Sequence, residues 1–279
     1  MAPVRVRLAT DDRAAQVQAC LATVVDPELD ESVTELGFVT EVELFEGVRE
    51  GEVRIGFRLP TYWCAANFAF LMADDMRRAV KRLPWVTRVQ VQLGEHMYAE
   101  AINRGVADGS GFQATFGTDS EGDLESLRRT FLLKAFQRRQ AALLQHLLDA
   151  GRTAAALVAM VSDALPTLAL DAEGERLVER YLERRDLVGG GSEAFVDTEG
   201  RAISAEALPG HVRDLRRVAV NAEFNGVLCR GLLAVRYGDA AVQPIHFVQR
   251  RPDRVGSLPG LAPNDAAGGQ PPSHARLTG

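Results

Sequence analysis

The sequence predicts a mixed α/β (α+β) fold: a small N-terminal helix–hairpin–helix–strand domain, then a mostly helical C-terminal region with a few strands. Three patterns predict it. Val53, Ile55, Phe57 and Leu59 alternate with Arg54, Gly56 and Arg58, the signature of a half-buried strand. From Cys64 to Leu83 the apolar period becomes helical, with Phe68, Leu71, Met72, Met76, Ala79, Val80 and Leu83 on one face and Asp74, Arg77, Arg78 and Lys81 opposite. Val86, Val89, Val91 and Leu93 then return to strand spacing after Pro84.

Taken in order, a first helix is expected from Asp12 to Val25, carrying Val17, Leu21, Val24 and Val25. It ends at Asp26-Pro27-Glu28 because a residue before proline is pushed out of helical geometry. Phe38 to Leu44 pairs with the alternating strand across the Gly47–Gly51 turn. The last crossover, strand to helix to parallel strand, should be right-handed. Gly105 to Gly122 holds five glycines and reads as a linker or flexible loop. A long helix follows from Leu124 to Ala150, then shorter ones over Ala154–Leu165 and Glu173–Arg185. Phe195–Ile203 is expected to form a hairpin and Val218–Val220 a short strand; Asn225–Arg236 reads as either helix or strand. Past Pro252 periodicity vanishes amid Pro, Gly and Ser. The expected divisions are therefore 10–95, 123–250 and a disordered tail at 251–279.

Composition narrows the function. A net charge of -6 over 279 residues argues against nucleic-acid binding, which needs a basic surface. No basic start is followed by an early apolar run, and no 18 apolar residues run uninterrupted, so neither a secretory signal nor a membrane span is expected. Three cysteines, Cys20, Cys64 and Cys229, give no Cys-x-x-Cys pair and no disulfide framework. A four-thiolate centre held by one chain is excluded by count, and a reducing, cytoplasmic setting is expected.

Cys64 is the leading chemical candidate. It lies where a strand stopped by Pro60 gives way to a helix, and unpaired N–H groups at a helix start favour a thiolate as ligand or nucleophile. The alternative is a small buried hydrophobe, the usual fate of a free cysteine.

The segments Val25-Asp26-Pro27-Glu28-Leu29, Leu36-Gly37-Phe38-Val39, Leu59-Pro60-Thr61-Tyr62-Trp63-Cys64 and Leu83-Pro84-Trp85-Val86 stand in an order that resembles the metal–sulfur cluster assembly family, SufT- and PaaD-like domains. The resemblance covers roughly residues 10 to 95. It implies that Asp26 and Glu28 form the family's acidic turn, that Thr61 is its loop threonine and that Cys64 is its cysteine. Tyr62-Trp63 and Ala65 stand where the family usually has Pro-Gly and Pro, implying a more covered loop. A narrower likeness, over Arg58–Met72, Ala101–Gly105 and Leu228–Leu233, points to the long actinobacterial branch associated with propane-type di-iron monooxygenases.

The resemblance implies a non-enzymatic maturation factor that holds iron or an iron–sulfur cluster transiently. Its client would be a metalloenzyme such as the hydroxylase of a di-iron monooxygenase. Cys64, Cys229 and His96 are the candidate metal ligands, and Thr61, Asp26 and Glu28 the supporting residues. Cys229 precedes Arg230, whose cation would favour a thiolate, although its apolar neighbours equally suit a buried thiol. His96 follows the last strand, where an exposed loop histidine is the alternative to a ligand. One thiolate per chain cannot hold a cluster, so a homodimer, the client or non-thiolate groups must supply the rest. The competing expectation is a metal-free chaperone or adaptor for a multisubunit oxygenase.

Overall fold

The computed structural model describes residues 3–117, 124–238 and 244–251, with residues 3–11 as backbone only. Helix α1 spans Pro3–Ala22 and buries Val17 and Leu21. The tight loop after it is closed by a bridge between Val25 and Ser32. Strands β1 (Val39–Phe45) and β2 (Glu52–Phe57) form the hairpin, with a bulge between Val39 and Glu41. Helix α2 (Ala66–Lys81) crosses to β3 (Arg88–Leu93), which lies parallel to β2. As the alternation predicts, Val53, Ile55, Phe57, Val89, Val91 and Leu93 all point into the core.

The glycine-rich stretch is not a linker as far as it is described. Helices α3 (Ala99–Asp108) and α4 (Phe112–Phe116) occupy it and bury Ile102, Val106 and Phe112 in the N-terminal core. Gly105 lies inside α3, where a Cβ would stand 2.1 Å from the Thr115 hydroxyl oxygen. That glycine lets the two helices touch; it does not loosen the chain. Residues 118–122 of the expected linker lie outside the described residues, as does the expected tail from 252.

Helices α5 (Leu124–Asp149), α6 (Ala154–Val158) and α7 (Ala172–Arg185) build a second core with the first turns of α8 (Leu208–Tyr237). Gln140 is fully buried there: its amide N–H groups donate to the Tyr181 hydroxyl and the Val196 carbonyl, and its oxygen lies 2.5 Å from the His211 ring. The expected hairpin at Phe195–Ile203 amounts to one bridge, Val196 to Ala202. The expected strand at Val218–Val220 is part of α8, which also settles Asn225–Arg236 as helix. Three apolar residues in a row fit either element, and here the long helix decides.

Strand β4 (His246–Arg250) lies beside β1 in parallel and completes a sheet in the order β3-β2-β1-β4. The chain thus returns to its first sheet after building the second core. Glu43 of β1 is buried under that return, held by Arg54 at 2.8 Å and by Arg250. Asp74, expected on the solvent face of α2, is buried too, paired with Arg77 and Arg78. Beside it Asp75 pairs with Arg128 of α5, so α5 covers what the amphipathic pattern assigned to water.

Helix α8 contains an apolar stretch long enough to cross a membrane by length and composition alone, with 11% of it buried. The stretch is interrupted by Glu223 and Arg230, so it escapes a search for uninterrupted apolar runs. Val220, Phe224, Val227, Leu228 and Val235 leave one face of the helix exposed, while Cys229 and Leu233 turn to the N-terminal core.

Candidate functional site

Cys64 ends the loop that follows β2, directly before Ala65 and the first turn of α2. Its side chain is half-buried, and the Thr61 hydroxyl oxygen lies 3.1 Å from its sulfur. That hydroxyl can donate to a Cys64 thiolate or accept from the thiol, so one loop serves both protonation states. Tyr62 and Trp63 project outward between them, Trp63 with 72% of its surface exposed. The aromatic pair therefore does not cover the loop, contrary to expectation. With the exposed Met97 and Tyr98, whose loop donates the Met97 N–H to the Tyr62 carbonyl at 2.9 Å, it forms an apolar rim.

His96 is buried rather than an exposed loop residue. The Tyr98 backbone N–H donates to its Nδ1 at 3.1 Å, which fixes the proton on Nε2. Nε2 then donates to the Cys64 carbonyl at 2.8 Å. Both ring nitrogens are engaged, so in this arrangement His96 positions the cysteine and offers no lone pair to a metal.

The acidic turn is built by its own side chain. Asp26 is buried and accepts from the backbone N–H groups of Glu28 at 2.9 Å and Leu29 at 2.8 Å. Burial pushes its carboxyl up to about 6, against those two hydrogen bonds. Glu28 faces outward to α8, where the Asn225 side chain donates to it at 2.8 Å. Asp30, two residues on, has a left-handed backbone with φ 53° and binds Arg139 through both oxygens, at 2.6 and 3.0 Å.

Helix α8 brings Cys229 to this neighbourhood. Asn225 ties it to Glu28, Arg230 to Glu31, and Arg236 to both the carbonyl and carboxylate of Glu95 at 3.0 Å. Cys229 and Cys64 pack against the same core. Arg230 does not make Cys229 a thiolate. Burial, helped by the nearby Asp26 and Glu28 carboxylates, pushes its thiol up to about 11, with Arg230 opposing weakly from its pairing with Glu31. Cys20 packs partly buried against the same core.

The structure thus gathers Cys64, Thr61, Cys229, Asp26 and Glu28 around the contact of the first domain with α8. His96 stands behind Cys64 as a brace. Among the described residues, no three His, Cys, Asp or Glu side chains are arranged to hold a metal ion. Cys64 and Cys229 are both unpaired thiols, a donor type that suits soft or borderline metals. Asn225 was not anticipated: a lone amide in an apolar run carries no signal until the helix places it over Glu28.

Residues 14–92 match the iron–sulfur cluster assembly protein family, over less than a third of the chain. That match covers the acidic turn, the Cys64 loop and the first three strands, and stops short of His96 and α8. No curated protein matches the sequence.

Proposed function

We propose that this chain is an accessory maturation factor that receives iron or an iron–sulfur cluster at Cys64 and passes it to a client metalloenzyme. The observation that carries the reading is the Cys64 loop itself. A half-buried cysteine, hydrogen-bonded to Thr61 and braced by His96, sits on an exposed apolar rim inside an iron–sulfur cluster assembly protein domain. A bound metal would draw on the Cys64 thiolate, with Thr61 donating to the sulfur. Recruiting Cys229 requires the metal to displace its proton. The remaining positions fall to the client or to a second copy of the chain, which is how a site with two cysteines holds its cargo only transiently. Tyr62, Trp63, Met97 and Tyr98 are where the client docks. The client we assign, from the sequence likeness over Arg58–Met72 and Leu228–Leu233, is the hydroxylase of a soluble di-iron monooxygenase. Three unpaired cysteines fit action in the cytoplasm.

Anaerobic incubation with iron and sulfide, followed by metal analysis and spectroscopy, tests this. Wild-type protein should retain metal and Cys64→Ser should retain much less. Equal metal in both would favour a metal-free adaptor, a reading supported by the exposed apolar face of α8 at Val220, Phe224, Val227 and Val235.

A further inference from the structure

The acidic turn and helices α5, α7 and α8 enclose an open cavity of about 620 Å³, a volume typical of small-molecule sites. Arg138, Arg139, Arg180, Arg216 and Arg230 line it, against three carboxylates, Asp30, Glu31 and Glu223. Most of these charges already have partners. Arg139 is taken by Asp30 and Glu183, Arg180 leans on Asp30, and Arg230 binds Glu31.

Arg138 and Arg216 are different. Among the described residues neither lies within ion-pair distance of a carboxylate. Arg138 donates through Nη1 to the Glu28 carbonyl, while its Nη2 is buried without a hydrogen-bond partner. Arg216 donates to the neutral side-chain oxygen of Gln145. Burial holds Arg138 below the ordinary arginine range in spite of the more distant Asp30, Asp26 and Glu28. A guanidinium with one nitrogen desolvated and unpaired, and no carboxylate at ion-pair distance, is costly, and one retained beside a cavity has a use for an anion there. The rest of the wall is apolar, with Leu29, Ala141, Leu177, Ala219 and Val227. Glu223 on the same lining makes no ion pair with any described residue and disfavours a second negative charge on the ligand.

We infer that this cavity binds a small organic monoanion, a carboxylate on an apolar body, with the carboxylate taken by Arg138 and Arg216. Arginine suits the task because its planar fork matches a carboxylate through paired hydrogen bonds. The apolar body then covers the leucine, alanine and valine wall. The inference is independent of metal at Cys64. The occupied cavity would bridge the acidic turn to α8 and so steady the helix that carries Cys229.

Calorimetric titration of the full chain with octanoate tests it, with octanol and inorganic phosphate as comparison probes. Octanoate should bind saturably, one per chain, and raise the melting temperature. Octanol and phosphate should each bind roughly tenfold more weakly or worse, since a charge-assisted hydrogen bond is worth about that factor. Arg138→Gln and Arg216→Gln should each weaken octanoate by roughly tenfold or more. Arg216 is exposed, so its variant folds and decides the matter alone if Arg138→Gln does not. Absence of saturable octanoate binding, octanol or phosphate binding as tight as octanoate, or full octanoate affinity in Arg216→Gln would each overturn the inference.

Discussion

The imidazole of His96 donates from Nε2 to the carbonyl of Cys64 across 2.8 Å, joining the loop after β3 to the loop after β2. The pair acts as a clamp, because the ring is buried and its other nitrogen is held by the Tyr98 N–H. His96→Ala removes both bonds and should cost about 1–3 kcal/mol of stability. Alkylation of Cys64 should speed up as its loop opens more often. Metal bound by the wild-type protein should show no nitrogen hyperfine coupling from His96; a coupling lost in His96→Ala would make it a ligand after all.

Much of this was readable in the sequence, for a physical reason. Val53, Ile55 and Phe57 alternate because only one side of β2 meets the core, so period and burial coincide. The position of Cys64 between β2 and α2 was likewise legible, since Pro60 and the change of period bracket it. What escaped depends on contacts distant along the chain. Asp75 meets Arg128 only when α5, far along the chain, packs on α2, and His96 looks like a loop residue until two loops meet. Strand β4 is five residues long with only two partly buried apolar ones, Phe247 and Val248, so its place beside β1 carries no local signal.

Arg139 and Asp30 form the buried link between the two cores, with Arg180 and Arg184 also near the carboxylate. Asp30→Asn leaves Arg139 short of its main counter-charge and should destabilise the protein by roughly 3 kcal/mol or more. Because the link joins two hydrophobic cores, calorimetry should resolve two transitions in the variant where the wild type gives one. A single transition at the wild-type temperature would mean the pair couples nothing.

Arg250 secures the returning strand through Glu43. Burial alone would raise the Glu43 carboxyl, but the hydrogen bond from Arg250 and the charges of Arg54 and Arg250 outweigh it and hold it below the ordinary glutamate range. A lowered carboxyl contributes stability above its unfolded value of 4.5, and that contribution is lost as pH falls through the folded value. Arg250→Gln should therefore melt below wild type near neutral pH, with the gap closing in acid. A gap that persists undiminished below about pH 3 would point to strand packing rather than the ion pair.

Asp26 and Cys229 give the opposite sign. Burial lifts Asp26 from 3.8 to about 6, so the folded protein keeps a proton that the unfolded chain releases. Its contribution is complete below pH 3.8 and is lost as pH rises through about 6. Asp26→Asn keeps an acceptor for the Glu28 and Leu29 N–H groups and removes the buried charge. At neutral pH it should gain roughly 1–3 kcal/mol, with little gain in acid. The same charge helps to hold the Cys229 thiol up at about 11. In a background with Cys20 and Cys64 replaced by serine, Cys229 alkylation should climb without a plateau between roughly pH 7 and 9.5. Adding Asp26→Asn should speed it at every pH in that range. A plateau near 9 would mean that Cys229 ionises as an ordinary thiol. An Asp26→Asn rate equal to its parent would mean that Asp26 lies too far from the sulfur to matter.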